Sequence, residues 1–183
     1  TLYKKWVELQ EPNMIRDKSQ ISELYDTQWI PKDINNLEQT IKEIEELEPY
    51  VEILDDPKEA TKWTYVRKMI HTMGFTANPG RNVKINVKDR KSGKLLGQIS
   101  LASDVTSMAV RDNYIGWSKD NKFVDKKLNH TTIASTIVCT QPLGYNFLGG
   151  KLVAMMTTVP EVRELWKEKY GQRKGIRICL GPN

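Results

Sequence analysis

The spacing of apolar residues changes along the chain, from steps of three and four to alternation at about residue 80. Between Pro31 and Pro49 the apolar residues recur at helical spacing and predict an amphipathic helix. These residues are Ile34, Leu37, Ile41, Ile44 and Leu47. A second helix is predicted from Asp56 as N-cap and Pro57 at the first helical position to Gly74. With a shorter helix near residues 18–26, the first 74 residues are expected to be helical.

The alternation that begins at residue 82 predicts a β-hairpin. Residues 82–88 alternate polar and apolar side chains, and residues 95–102 form a second apolar run. Residues 90–94, with the sequence RKSGK, have the composition of a turn between them.

The remaining segments predict strands and helices in alternation. Residues 114–117 are expected to be a short strand, and residues 133–140 a buried strand. A helix is expected from Leu152, another over residues 161–170, and a closing strand over residues 176–180. The sequence thus predicts an α+β fold with a mixed, mostly antiparallel sheet flanked by helices. Its core is expected in residues 75–183, with residues 1–74 as a helical extension.

Composition narrows the class of protein. A chain of 183 residues that is 39% hydrophobic can bury one core. We find no apolar stretch long enough to cross a membrane and no apolar N-terminal segment of signal-peptide length, so a soluble intracellular protein is expected. With two histidines and two cysteines in the chain, we expect no metal site.

The charge is divided unevenly between the two parts. Residues 1–74 carry 10 Lys and Arg against 15 Asp and Glu, a net −5, whereas residues 75–183 carry 18 against 8, a net +10. A segment of +10 concentrates phosphate-bearing partners, either nucleic acid or a phosphorylated cofactor. Alternatively, the two parts dock on each other.

A glycine-rich segment between a predicted strand and a predicted helix is a candidate anion-binding loop. Backbone N–H groups at a helix N-terminus favour a pyrophosphate. The segment is not a Walker loop, because Gly150, Lys151 and Leu152 follow Gly149 where Lys and then Ser or Thr are required. The glycines alternatively serve only to pack the helix against the strand.

Three residues could move a proton, and five cations could contact phosphates. Asp104, Tyr114 and His130 are candidate acids or bases. The candidate nucleic-acid-binding residues are Arg111, Lys119, Lys122, Lys126 and Lys127, with Phe123 among them as a ring on which a base could stack. The alternatives are an ion pair between Arg111 and Asp112, and lysines that are merely solvated.

The order of several motifs over residues 80–180 resembles the DruA family of the Druantia anti-phage system. The motifs are the hairpin with Lys94-Leu95-Leu96-Gly97, the segment from Arg111 to Trp117, a strand leading to Pro142, Asn146 before a helix, and Trp166-x3-Tyr170-Gly171. The match carries over Arg111, Gly116, Trp117 and Asn146 without assigning them roles. Residues 134–138 (ASTIV) differ from the Asn-Asn-x-Arg-Phe expected in this family. The resemblance implies a bacterial cytoplasmic protein.

The layout also resembles the GNAT acyltransferase superfamily, especially its Mom-like DNA-modifying branch. That resemblance implies an acyl-CoA cofactor whose pyrophosphate lies at the 144–151 loop. The implied cofactor-binding residues are Gly144, Tyr145, Asn146, Gly149, Gly150 and Lys151. The implied reaction is N-acylation of a nucleic-acid base, with Asp104, Tyr114 or His130 handling the proton. The alternative is a non-catalytic module that binds DNA, or a protein partner through the acidic N-terminal helices.

Overall fold

The computed structural model describes residues 26–71, 80–140, 147 and 149–171. The elements in chain order are α1 (Leu37–Glu45), β1 (Pro49–Leu54), α2 (Pro57–Ile70), β2 (Asn82–Asp89), β3 (Leu95–Ser103), α3 (Ala109–Tyr114), α4 (Lys119–Phe123), β4 (Thr132–Cys139), α5 (Gly149–Met155) and α6 (Pro160–Gly171). Short 3-10 turns span Lys127–His130 and Met156–Thr158. In this part of the chain, no helix combines the length and apolarity needed to span a membrane.

The four strands form one antiparallel sheet in the order β1-β2-β3-β4. The predicted hairpin is confirmed as β2 and β3, and the fold is α+β, as predicted. Strand β1 was not predicted, because its alternation lasts only six residues between two helices. The first 74 residues are therefore not all helical, and they supply an edge strand. The domain boundary at residue 74 stays a prediction.

One face of the sheet is apolar and carries the core. Helices α5 and α6 cover it with Val153, Val162 and Trp166. A Cβ on Gly97 would overlap the side chain of Val153 and lie 2.6 Å from the backbone oxygen of Val138. Only glycine therefore allows α5 to lie this close to β3.

The opposite face of the middle strands is polar and lies under α2. Trp63 of α2 is 1% exposed, and its indole N–H donates to the backbone oxygen of Ile85 at 3.1 Å. Asn86 on β2 faces Gln98 on β3 in the strand register. Helix α2 thus rests its buried Trp63 over amide side chains rather than on a second apolar core.

The helix ends follow the sequence signals closely at the N-terminal side. Asp56 is the N-cap of α2, as predicted, and accepts a hydrogen bond from Lys58 N at 2.8 Å. Helix α1 begins later than predicted because Asn36 caps it and accepts from Gln39 N. Helices α5 and α6 agree with the two helices predicted in this region.

Two strand predictions need correction. Residues 114–117 are the end of α3 and a turn, in which Gly116 adopts a φ of 70°. Strand β4 exists, but it is the sheet edge and is partly exposed rather than buried. An apolar run cannot by itself distinguish these cases. The predictions for residues 18–25, Gly74 and residues 176–180 lie outside the described residues.

Candidate functional site

Most of the candidate residues lie in the connection between β3 and β4. After Ser103 the chain leaves the sheet, forms α3 and α4, and returns through the 3-10 turn at Lys127–His130. Helix α4 packs against that turn. The connection therefore forms a small helical unit at one end of the two strands.

The interior of this unit is a network of four charged side chains. Arg111 donates from Nη2 and Nε to Asp112 Oδ1 at 2.8 and 3.0 Å. Its Nη1 lies 2.8 Å from Asp104 Oδ2, close enough for an ion pair although the angle is not that of a hydrogen bond. Lys122 donates from Nζ to Asp112 Oδ2 at 2.5 Å. The ion pair between Arg111 and Asp112, one of the two alternatives from the sequence, is thus present.

This network changes the roles available to its members. The hydrogen bond from Lys122, together with those from Arg111, lowers the pKa of Asp112 to about 2. Lys122 is 9% exposed, so it is a buried structural cation and does not belong to a surface that tracks phosphates. Asp104 forms an ion pair with Arg111. The carboxylate that would act as a general base is therefore already paired.

The motif from Arg111 to Trp117 is explained by the same packing. The Arg111 guanidinium lies 5.4 Å from the centre of the Trp117 ring. The backbone N–H of Trp117 donates to the backbone oxygen of Asp112 at 2.7 Å. Gly116 supplies the left-handed turn between them. These residues close the α3 turn around the network.

The exterior of the unit presents aromatic rings and lysines, which we name the aromatic-lysine surface. It consists of Tyr114, Phe123, Lys119, Lys126 and Lys127. Tyr114 is 91% exposed and Phe123 is 51% exposed. Lys119 and Phe123 are four residues apart on α4 and share one face of it. Lys126 has a φ of 57°, a conformation that non-glycine residues rarely adopt.

The candidate proton-transfer residues are not joined by any described contact. Tyr114 points into solvent, and Asp104 is paired with Arg111. His130 ends the 3-10 turn, and its side chain lies outside the described residues. Their catalytic roles stay predictions. Among the described residues, no group of three His, Cys, Asp or Glu side chains could hold a metal ion.

The candidate cofactor loop is only partly described. Gly144, Tyr145 and Asn146 lie outside the described residues, whereas Gly149 and Gly150 open α5. Gly149 is buried, and a Cβ on Gly150 would meet only Cys139 Sγ, at 3.9 Å. Lys151 is exposed, and the first turn of α5 contains no acidic residue. The close packing of α5 on the sheet requires glycine at Gly97 on β3.

Gln98 was not among the residues predicted to be functional. This side chain is fully buried beneath α2, on the polar face of the sheet. The available signal was a glutamine inside the apolar run LLGQISLA, because a buried amide needs dedicated partners.

Comparison with known proteins identifies the family. The DruA family, described as Druantia protein DruA, matches residues 3–178. The Druantia protein DruA of Escherichia coli (strain UMEA 4076-1) is 34% identical over 98 residues, which are 53% of this chain and 23% of that protein. The chain therefore spans about a quarter of that relative's length. No solved structure matches the chain, so the GNAT-like and Mom-like layout has no support from a structural neighbour. The match over nearly the whole chain, in agreement with the motif order, shows that the chain belongs to the DruA family.

Proposed function

We propose that this chain contacts single-stranded nucleic acid through the aromatic-lysine surface, as part of an anti-phage defence protein. The observation that carries the proposal is the exposure of Tyr114 and Phe123 on the same small helical unit as three exposed lysines, which have no carboxylate partner in the described part of the chain. Exposed rings stack on unpaired bases, while lysines contact the phosphates between them.

The division between buried and exposed cations defines the surface. Arg111 and Lys122 neutralise Asp104 and Asp112 inside the unit and are unavailable to a strand. Lys119, Lys126 and Lys127 are exposed. The strained backbone at Lys126 holds two successive lysines at a turn. The protein therefore offers three phosphate contacts here rather than the five expected from the sequence.

The test is the salt dependence of oligonucleotide binding. We expect the triple variant Lys119→Gln, Lys126→Gln, Lys127→Gln to reduce the slope of log K against log salt by about 2, since each single-strand phosphate contact contributes roughly 0.7. Fluorescence anisotropy of a labelled single strand, measured over a salt series, gives both slopes. The matched control neutralises Lys42, Lys58 and Lys167, which are exposed elsewhere, and should leave the slope unchanged. Equal slopes for wild type and the triple variant would refute this surface.

A substitution of Tyr114 separates the contribution of base stacking to binding from that of the lysine charges. Tyr114→Ser should weaken single-strand binding several-fold at every salt concentration without changing the slope, because stacking involves no counterion release. The affinity for a duplex of the same sequence should change less. An equal loss for both forms would argue against base stacking.

Acyl transfer is a second candidate function, and the opening of α5 favours it. Two glycines and no acidic residue stand at the first turn of a helix that follows strand β4. The backbone N–H groups of Gly149 and Gly150, with Lys151, would hold the pyrophosphate of an acyl-CoA. Bound there, the cofactor would supply a thioester for attack by an amine, with Tyr114 and His130 as the remaining candidates for proton transfer.

Calorimetric titration with CoA and acetyl-CoA tests this second candidate. Gly150→Asp places a negative charge at the loop with little steric cost and should abolish binding, whereas Gly150→Ala should retain it. Gly149 is buried, so its substitution would confuse folding with binding. Absence of saturable CoA binding to the wild type would exclude the cofactor.

A further inference from the structure

A chain of hydrogen bonds crosses the polar face of the sheet beneath α2. Lys88 Nζ donates to Glu52 Oε1 at 2.7 Å, and Asn86 Nδ2 donates to Glu52 Oε2 at 3.0 Å. Gln98 Nε2 then donates to Asn86 Oδ1 at 3.2 Å and to the backbone oxygen of Trp63 at 3.2 Å. The chain therefore runs from β1 through β2 to β3 and ends at Gln98.

These partners determine the orientation of both amides. Burial alone would raise the pKa of the Glu52 carboxyl, but the hydrogen bonds from Lys88 and Asn86 together lower it. Glu52 is therefore a charged acceptor. Asn86 must turn its NH₂ group toward that carboxylate, so its oxygen faces Gln98. Gln98 must turn its own NH₂ group toward two oxygens. Its Oε1 is consequently a buried acceptor, and no donor in the described part of the chain reaches it.

Gln98 lines a cavity of about 620 Å³ between α2, the sheet and the β2–β3 turn. Apolar groups of Trp63, Val66 and Leu95 contribute to its wall, and the half-exposed ring of Tyr65 stands at its side. This volume is in the range of small-molecule sites and far exceeds the space of one water molecule.

Three lysines and two acidic residues line the cavity, and the charges balance once Glu52, which pairs with Lys88 from outside the lining, is counted. Lys62 pairs with Glu59 at 3.0 Å, and Lys88 pairs with Glu52. Lys94 donates to the backbone oxygen of Asp26, and both residues line the cavity. A balanced lining favours a neutral ligand over an ion.

We infer that this cavity binds a neutral aromatic heterocycle carrying an amino group, the chemistry of an adenine or cytosine base. The flat ring lies against the apolar wall, and its amino group donates to Gln98 Oε1, completing the hydrogen-bond chain. Gln98 is fully covered in this structure, so binding requires the groups that cover its Oε1 to move aside.

This site is separate from the aromatic-lysine surface. Gln98 lies five residues before Ser103, where the connection begins, which is about 17 Å along the strand. The inference therefore does not depend on the proposed function, and each can fail without the other.

The first experiment compares ligands that differ by one donor, using the wild-type protein. Adenosine and cytidine are titrated by calorimetry beside purine riboside and 4-deaminocytidine, which lack the exocyclic amino group. We expect the aminated nucleosides to bind at least tenfold more tightly, because the partner oxygen is otherwise left without a donor. Equal affinities within either pair, or no saturable binding at millimolar concentration, would overturn the inference.

A variant then assigns the preference to Gln98. Gln98→Met keeps the length of the side chain and removes the acceptor, so the preference for aminated nucleosides should disappear. Ser100→Ala changes a buried polar residue on the same face of β3, outside the cavity lining, and should retain the preference. A preference that survives in folded Gln98→Met would contradict the assignment. The wild-type comparison remains decisive if that variant does not fold.

A free nucleoside and a base within a strand share this chemistry. Displacement of bound adenosine by a short oligodeoxyadenylate, but not by an abasic strand of the same length, would assign the site to bases in a strand. Displacement by neither strand would assign it to free nucleosides.

Discussion

Asp112 holds the β3–β4 connection together by accepting hydrogen bonds from two cations. Arg111 is its sequence neighbour, whereas Lys122 lies ten residues away on α4. The Asp112 side chain is 8% exposed and accepts from both charged donors. Removing Asp112 would leave Arg111 and Lys122 without this acceptor. The contacts of this one carboxylate therefore stabilise the β3–β4 connection.

Two lysines of α4 should differ sharply in their contribution to stability. Lys122→Gln leaves Asp112 with one buried cation fewer and should lower the unfolding temperature by several degrees. Lys119→Gln, on the exposed surface of the same helix, should change it little. Calorimetric unfolding of both variants measures the contrast, and equal effects would contradict the burial of Lys122.

The lowered pKa of Asp112 should appear in the pH dependence of unfolding. Its pKa is about 2 in the folded protein against an ordinary value of 3.8, so the folded state binds fewer protons than the unfolded state at intermediate pH. The stabilisation is present above pH 4 and is lost as the pH falls toward 2. Denaturant unfolding of wild type and Asp112→Asn from pH 2 to 6 should show a difference that shrinks as the pH falls. A difference independent of pH would refute this linkage.

At the scale of elements, the close packing of α5 on β3 depends on Gly97. Gly97→Ala forces Val153 and the β4 backbone apart and should cost about 1–3 kcal/mol of unfolding free energy. Gly150→Ala on α5 meets only ordinary contact and should stabilise by about 0.5–1 kcal/mol. Urea unfolding of the two variants measures both values, and no loss of stability in Gly97→Ala would show that the helix tolerates a shift.

The accuracy of the element predictions follows from how local their signals are. The cap and proline that start α2, and the alternation on both sides of RKSGK, depend on neighbouring residues and predicted the right structures. The apolar residues of 114–117 were misassigned because a helix end and a strand end look alike over four residues. The burial of β4 depends on its place at the sheet edge, which the local sequence of the strand does not specify.

In the molecule as a whole, Tyr170 joins α6 to the sheet. Its hydroxyl accepts from Asn82 N at 3.2 Å and donates to Asn82 O at 3.1 Å, across 88 residues of sequence. The Trp166 and Tyr170 rings lie 4.7 Å apart, and the Arg81 guanidinium lies over Trp166. The Trp-x3-Tyr-Gly motif of the resemblance is therefore accounted for by the docking of α6.

Loss of that hydroxyl should destabilise the protein as a whole. Tyr170→Phe leaves two backbone groups of Asn82 without this partner and should cost about 1–3 kcal/mol. Asp55→Asn removes the exposed ion pair with Lys169 and should cost less than about 1 kcal/mol. Thermal unfolding should show one cooperative transition in both variants. A separate early transition in Tyr170→Phe would show that α6 docks independently.

The start of α2, the hairpin, the helices that follow β4 and the family could all be predicted from the residues alone, because these depend on short motifs and their order. Which charged residues are available to a partner became known only from the folded arrangement. Lys122 and Lys119 belong to the same predicted basic stretch, yet one is buried against Asp112 and the other is exposed. The unpaired acceptor on Gln98 likewise depends on Trp63, which is 35 residues away. Pairing and burial are set by residues that folding brings together, so they cannot be read from the local pattern.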